Sequence, residues 1–196
     1  MINRRAAISL SSSLLAIFMT YNKSIAGARR VIDDMQLPAL KASNGATWQF
    51  VSDGVMGGVS KGTVTREMVG NRSALRMRGS VSLDNNGGFI QMALDLSPDG
   101  AFFDASAFTG IEIDVTGNSE LYNLHVRTSD LNRPWQSYRH SLTVGDAWTT
   151  HRLPFARFEA YRTQIKFNPA KLRRVGIVAI GRAFEADISL GGIRFY

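Results

Sequence analysis

The run WQFVSDGVMGGVS, Trp48 to Ser60, decides how the rest of the chain is read. An aromatic and β-branched stretch (Trp48, Phe50, Val51) meets Asp53-Gly54, then Val55-Met56, then Gly57-Gly58, and alternation resumes at Val59 and Ser60. That order spells strand, tight turn, strand. Glycine adopts φ > 0 without a Cβ clash and Asp bonds its own downstream backbone, so this composition describes a specified path rather than a linker. One of Gly57 and Gly58 is expected at positive φ. Solvated loops seldom carry a pair such as Val55-Met56, so the turn is expected to fold back and plug one end of a core. A shorter echo, DNNGGF at Asp84 to Phe89, follows about thirty residues later and brings Asn86, Gly87 and Gly88.

Three chemistries compete for these glycines. A dinucleotide fingerprint requires G-x-G-x-x-G between a strand and a helix, whereas the order here is G-x-x-G-G followed by the strand-like VSKGTVT. A metal loop needs several oxygen ligands at close spacing, for which Asp53, Asp84 and Asn86 could stand. The plainest reading is a structural corner in which Asp53 bonds backbone amides.

Outward from the corner the pattern has period two. Ile111, Ile113 and Val115 alternate with Glu112, Asp114 and Thr116; Tyr122, Leu124 and Val126 alternate with Asn123, His125 and Arg127. Further strands are expected at Val59 to Arg66, Ala74 to Leu83, Phe89 to Leu96, Gln136 to Leu142, Ala147 to Leu153, Arg174 to Ile180 and Ala186 to Tyr196. Strands at roughly ten-residue spacing, parted by Gly, Asn, Asp and Pro, predict an all-β, jelly-roll-like β-sandwich with very little helix. A helical turn or two is expected at Phe155 to Tyr161, after Pro154. Trp48 and Trp148 sit within apolar alternation and are expected in the core.

DGVMGGVS, NNGGF, WTTHRLPFARF at 148–158 and a closing I-x-F-Y strand together resemble the complex I intermediate-associated protein 30 family over residues 46–196. The resemblance implies a galactose-binding-like sandwich, related in shape to some carbohydrate-binding modules, with mitochondrial members acting as assembly factors for respiratory complex I. It implies no established catalytic residues.

Residues 1–28 read as a targeting segment. MINRR forms a positive n-region, Ala6 to Met19 a serine-diluted apolar h-region, and Ala26-Gly27-Ala28 an A-x-A cleavage site. The run of about fourteen residues is shorter than the roughly twenty needed for a span, so no stable membrane span is expected after its removal. Arg4-Arg5 resembles a twin-arginine signal without its Phe and Lys. Export, to a periplasm, is the expectation, with a mitochondrial presequence as the alternative. The segment holds Arg4, Arg5 and Lys23 and no acid, so its loss lowers the formal net charge from +7 to +4. That ordinary balance gives no case for a nucleic-acid partner. Residues 29–45 form a polar lead-in that is expected to wrap the sandwich edge, and 46–196 a single β-sandwich domain.

Cysteine is absent, which excludes thiol nucleophiles, CxxC redox chemistry and disulfides. The three histidines, His125, His140 and His151, lack the i, i+4 spacing of a helical zinc motif, and no G-x-S-x-G elbow is present. No catalytic residue, metal or cofactor is therefore expected. The remaining candidate is a recognition face. On the alternation, Arg127, Tyr138 and His140 are expected to project from one face of adjacent strands with Trp135 at its rim, flat rings beside forked donors suiting a partner protein's loops or sugar rings. The leading expectation is a non-catalytic binding module with a protein partner, a carbohydrate-binding module is the alternative, and a redox-linked enzyme the third. Export would keep a bacterial protein from the cytoplasmic arm of complex I, restricting any such role to the opposite membrane face. Mass spectrometry of the mature protein is expected to find its N-terminus at Arg29, within a residue or two; a soluble product that keeps Met1 contradicts export.

Overall fold

The computed structural model describes residues 29–196, so the targeting segment lies outside the described residues. Twelve strands follow one another: β1 (Arg30–Asp33), β2 (Gln49–Ser52), β3 (Lys61–Val69), β4 (Arg72–Val81), β5 (Phe89–Asp95), β6 (Gly110–Gly117), β7 (Glu120–Thr128), β8 (Ser137–Val144), β9 (Thr149–Pro154), β10 (Glu159–Tyr161), β11 (Leu172–Ile180) and β12 (Phe184–Phe195). They form two antiparallel sheets. The first runs β3-β4-β12-β6-β9, with β1 added to the end of β12, and the second runs β10-β8-β7-β11-β5-β2.

The alternation explains why the two sheets pack face to face. Leu75 and Met77 of β4, Ile111, Ile113 and Val115 of β6, and Ile188 and Leu190 of β12 point inward from the first sheet; Ile90, Met92 and Leu94 of β5, Ile177 of β11 and Leu124 and Val126 of β7 meet them from the second. Each is fully buried, and each such side chain contributes roughly 1.5–3 kcal/mol of transfer free energy. In β12 the inward positions switch from even to odd numbers. An irregularity in its pairing with β6 between Leu190 and Gly192 inserts a residue, which keeps Ile193 and Phe195 facing the core.

At one end of the sandwich the chain crosses twice between sheets, once from β2 to β3 and once from β4 to β5, and the Asp53 carboxylate joins the crossings. Oδ1 accepts the Ser60 amide at 3.0 Å. Oδ2 accepts the Ser60 hydroxyl at 2.5 Å, the Gly88 amide at 2.6 Å and the Phe89 amide at 3.2 Å. Both oxygens thus face N–H and O–H donors, an arrangement that suits an anion's own lone pairs and would set donor hydrogens against a bound cation. The glycines follow from this. A Cβ on Gly58 would lie 2.4 Å from Asp53 Cγ, and one on Gly87 2.5 Å from Oδ2. Gly57 closes the 3₁₀ turn Asp53–Met56 at φ 89°, and Asn85 and Asn86 take φ 55° and 56° in the second turn, a region that Gly and Asn tolerate best.

Four expectations are corrected here. Val55 and Met56 do not plug the core: they are 74% and 56% exposed, because the turn points its buried carboxylate inward and so turns the two following side chains out. Phe155 to Tyr161 holds one 3₁₀ turn, Phe155–Arg157, and then becomes β10, since an edge of β8 is open for pairing at Arg139, Tyr138 and Ser137. Trp48 is buried and donates its indole N–H to Asp33 at 2.8 Å, but Trp148 is only half-buried, with the Arg72 guanidinium 4.8 Å from its ring. The lead-in does more than skirt the edge: β1 pairs with β12, and Ile32, Met35 and Ala42 enter the core cluster.

Burial raises the Asp53 pKa, but the hydrogen bonds from Ser60, Gly88 and Phe89 outweigh it and hold the carboxyl below its usual range. Its stabilising contribution is therefore present above the unfolded value of about 3.9 and is lost as pH falls through the lower folded value. Asp53→Asn is expected to cost about 3 kcal/mol at neutral pH in urea unfolding, the difference from the native protein shrinking below about pH 4. Gly58→Ala is expected to cost at least as much, and Gly57→Ala about 1 kcal/mol, since only its φ is strained.

Candidate functional site

The outer faces of the two sheets carry different chemistry. On the first sheet, the acids of β6 are covered by arginines. Asp114 accepts from Arg72 at 2.6 Å, Arg194 at 2.8 Å and the Thr150 hydroxyl at 2.5 Å. Glu112 is paired with Arg194 at 2.5 Å and Arg152 at 3.1 Å. Arg76 bridges Asp187 and Glu67 beside them. These acids are neutralised by their own arginines.

The second sheet carries a groove on its outer face, with a volume of about 510 Å³. Its floor is set by register. Ala93, Gly176, His125 and Arg139 lie opposite one another across β5, β11, β7 and β8, and Arg174, Arg127 and Ser137 make the parallel row toward one end. The small side of Ala93 and the missing one of Gly176 lower the middle of the floor. At one end stand Trp135, Tyr161 and Arg162; at the other, Phe89, Ile180, Val55 and Met56. The glycine corner, whose plainest sequence reading is a structural one, is thus also a wall of this groove, through Asn86, Gly87 and Gly88.

The residues singled out in sequence divide between the two faces. Arg127 and Trp135 line the groove, Trp135 with 47% of its surface exposed. Tyr138 and His140 do not join them. Tyr138 pairs with Val126 and His140 with Leu124, so both stand on the core side of β8, opposite to Arg127. Tyr138 is 1% exposed, packs on Phe167 and donates its hydroxyl to the carbonyls of Ile165 and Lys166 at 3.0 and 3.2 Å. A polar tip with a buried partner lets the ring act as core. Leu142 and Val144 share its parity and are buried, which was the signal for the correct face. His140 sits edge-on to Phe158 at 5.7 Å. Tyr161, Arg162 and Arg174 escaped the sequence reading because they meet Arg127 only through the strand order β10-β8-β7-β11.

His125 occupies the centre of the floor. Nδ1 lies 3.2 Å from the Ser137 hydroxyl, and Nε2 is buried without a partner. Burial, with the nearby Arg139 charge adding to it, pushes the imidazole down to about 4. Arg127 donates to the carbonyl of Arg133 at 2.9 Å and leaves Nε buried and unpartnered. Burial, and then the charges of Arg174 and Arg173, lower its pKa against the opposing pull of Asp95. No cluster of three or more His, Cys, Asp or Glu suited to a metal is found among the described residues, and no helix among them is long and apolar enough to cross a membrane.

The sequence model of the complex I intermediate-associated protein 30 family matches residues 39–190. The chain belongs to that family. Comparison with curated proteins found no match. Among solved structures, the family member is similar to the family 11 carbohydrate-binding module of the cellulosomal cellulase Lic26A-Cel5E of Clostridium thermocellum, with TM-score 0.68 and 13% identity over 87% of this chain and 95% of that one. The Clostridium thermocellum family 11 module in complex with a β-1,3-1,4-mixed-linked tetrasaccharide gives TM-score 0.66 at 13% identity, covering 85% and 94%. A family 30 carbohydrate-binding module gives 0.61 at 14%, covering 86% and 87%. At such identities the likeness establishes the shared sandwich fold.

His125 is expected to stay neutral in ring NMR titrations down to about pH 4. Because the unfolded chain takes up that proton near pH 6.5, native stability falls as pH drops from about 6.5 toward 4. His125→Gln is expected to flatten this slope in urea midpoints measured at pH 7 and pH 5.

Proposed function

We propose that this member of the complex I intermediate-associated protein 30 family is a non-catalytic binding module that recognises a protein partner through the groove of the second sheet. The observation that carries the reading is the groove itself, whose rims leave Val55, Met56 and Trp135 exposed. Exposed apolar side chains around a concave floor are characteristic of recognition surfaces, and Met and Trp are enriched there. Met adds adaptability, since its unbranched chain repacks against differing partners. The family's association with complex I assembly accords with a protein partner. The targeting segment read from sequence would place the encounter in the cell envelope.

Carbohydrate binding is the second reading, favoured by the tetrasaccharide complex of a module with the same fold. Sugar rings stack on open aromatic faces. Here guanidiniums already lie over one of the rings: Arg139 and Arg162 are 4.5 and 5.3 Å from the Tyr161 centroid. That occupancy at Tyr161 favours the protein reading, while Trp135 stays open to either ligand.

The two are separated by affinity capture from native membranes run beside a glycan array. Met56→Ser and Trp135→Ala are each expected to weaken capture by about 30-fold, as loss of roughly 2 kcal/mol at an interface anchor implies, with the melting temperature little changed. Array binding that these substitutions abolish, with no groove-dependent protein capture, would instead establish the carbohydrate reading.

A further inference from the structure

We propose that the groove takes an extended acidic segment of its protein partner, carboxylates at the Arg127 end and apolar side chains at the Met56 end; this rests on the binding-module reading and specifies its ligand. Charge is the first argument. Among the described residues, the charged side chains that line the groove are Arg127, Arg162 and Arg174, with no Asp or Glu beside them. Only Arg174 has a carboxylate partner, Asp95 at 2.7 and 3.0 Å. Arg127 is held by backbone carbonyls instead, with Nε buried and unused. Arg139 and Arg162 are steadied over the Tyr161 ring. Positive charge at Arg127 and Arg162 is therefore gathered and oriented without a carboxylate partner among the described residues, whereas the first sheet matches its arginines to Glu112, Asp114, Glu67 and Asp187. A guanidinium in a partly desolvated site gains most from a carboxylate that satisfies its donors in pairs.

Length is the second argument. Arg174 stands opposite Arg127 at one end of β11, and Ile180 opposite Phe89 at the other. Six residues of strand at about 3.3 Å each separate the ends by about 20 Å, the reach of roughly six residues of extended peptide. The far end offers flexible aliphatic groups, Val55, Met56 and Ile180. Those surfaces suit Leu, Met or Phe side chains. Asparagine and glycine atoms at Asn86, Gly87 and Gly88 leave polar backbone between.

A displayed library of random octapeptides selected on the purified protein tests the assignment. Enriched sequences are expected to carry net negative charge and to place apolar residues toward one end. Synthetic copies of the enriched peptides should lose about 10-fold or more in affinity on Arg162→Gln and on Arg127→Gln, and regain only part of it with Arg127→Lys, which restores the charge but not the paired donors; their binding should weaken with added salt. Arg162 is exposed, so its variant stands even if Arg127→Gln fails to fold. Val55→Ser with Met56→Ser should erase the apolar preference and leave the acidic one. Neutral or basic winners, no enrichment, or affinity indifferent to Arg162→Gln would overturn the proposal. Winners that lack acids yet are lost on Trp135→Ala would sink the charge assignment alone and leave the groove as the binding site. Binding of oligogalacturonate, an acidic glycan, that depends on Arg162 with no peptide enrichment would overturn the peptide as ligand.

Discussion

One buried carboxylate organises the end of the sandwich on which the groove depends. Asp53 leaves the second sheet at the close of β2, while the donors it collects come from Ser60, which opens the path into β3, and from Gly88 and Phe89, which open β5. The two crossings between sheets are thereby tied at one point, and Ser60 extends the tie by accepting the Ser82 amide at 2.9 Å. A desolvated anion with this many donors is stable only while all of them are in place. That requirement explains why the DGVMGGVS and NNGGF stretches, distant in sequence, act as one motif. Gly58 and Gly87 grant the carboxylate space, and Gly57 and Gly88 bend the chain around it at positive φ.

The same clasp shapes the surface. Burying Asp53 inverts the usual order of a turn, the polar residue going inward and Val55 and Met56 outward. Such exposure is costly unless a partner covers it. The corner accordingly serves two ends at once, holding the sheets together and presenting an apolar rim beside the floor of β5 and β11. A change at Gly58 or Gly87 would act on both through the single carboxylate.

The two outer faces of the sandwich differ in how their charges are matched. On the first sheet acids and bases alternate across neighbouring strands, so that Asp114 and Glu112 become buried beneath the arginines that neutralise them. Hydrogen bonds from Arg194, Thr150 and Arg72 hold the Asp114 carboxyl well below its usual range despite the opposing effect of burial. On the second, a row of basic groups faces small floor residues, and buried nitrogens of His125 and Arg127 go unused. Carbohydrate-binding modules with the same sandwich differ from this chain in most of their residues, so what the surface recognises is set by side chains and not by the fold.

Period-two alternation, glycine and asparagine placement and the absence of cysteine were enough, in sequence alone, to determine an all-β sandwich and most strand positions, because each strand must turn one face to the core whatever its neighbours are. The family, too, was legible, since the DGVMGGVS and NNGGF blocks encode a local geometry that tolerates few alternatives. The site was legible only in part. Alternation along β7 correctly placed His125 with Arg127, but whether β8 turns Tyr138 or Arg139 to the same side depends on register, and a tyrosine satisfies either face if its hydroxyl finds an acceptor. Tyr161, Arg162 and Arg174 come from segments far along the chain, and Val55 and Met56 face outward only because Asp53 is drawn in. Those placements rest on contacts between strands remote in sequence, which local pattern does not carry and only the packed tertiary structure decides.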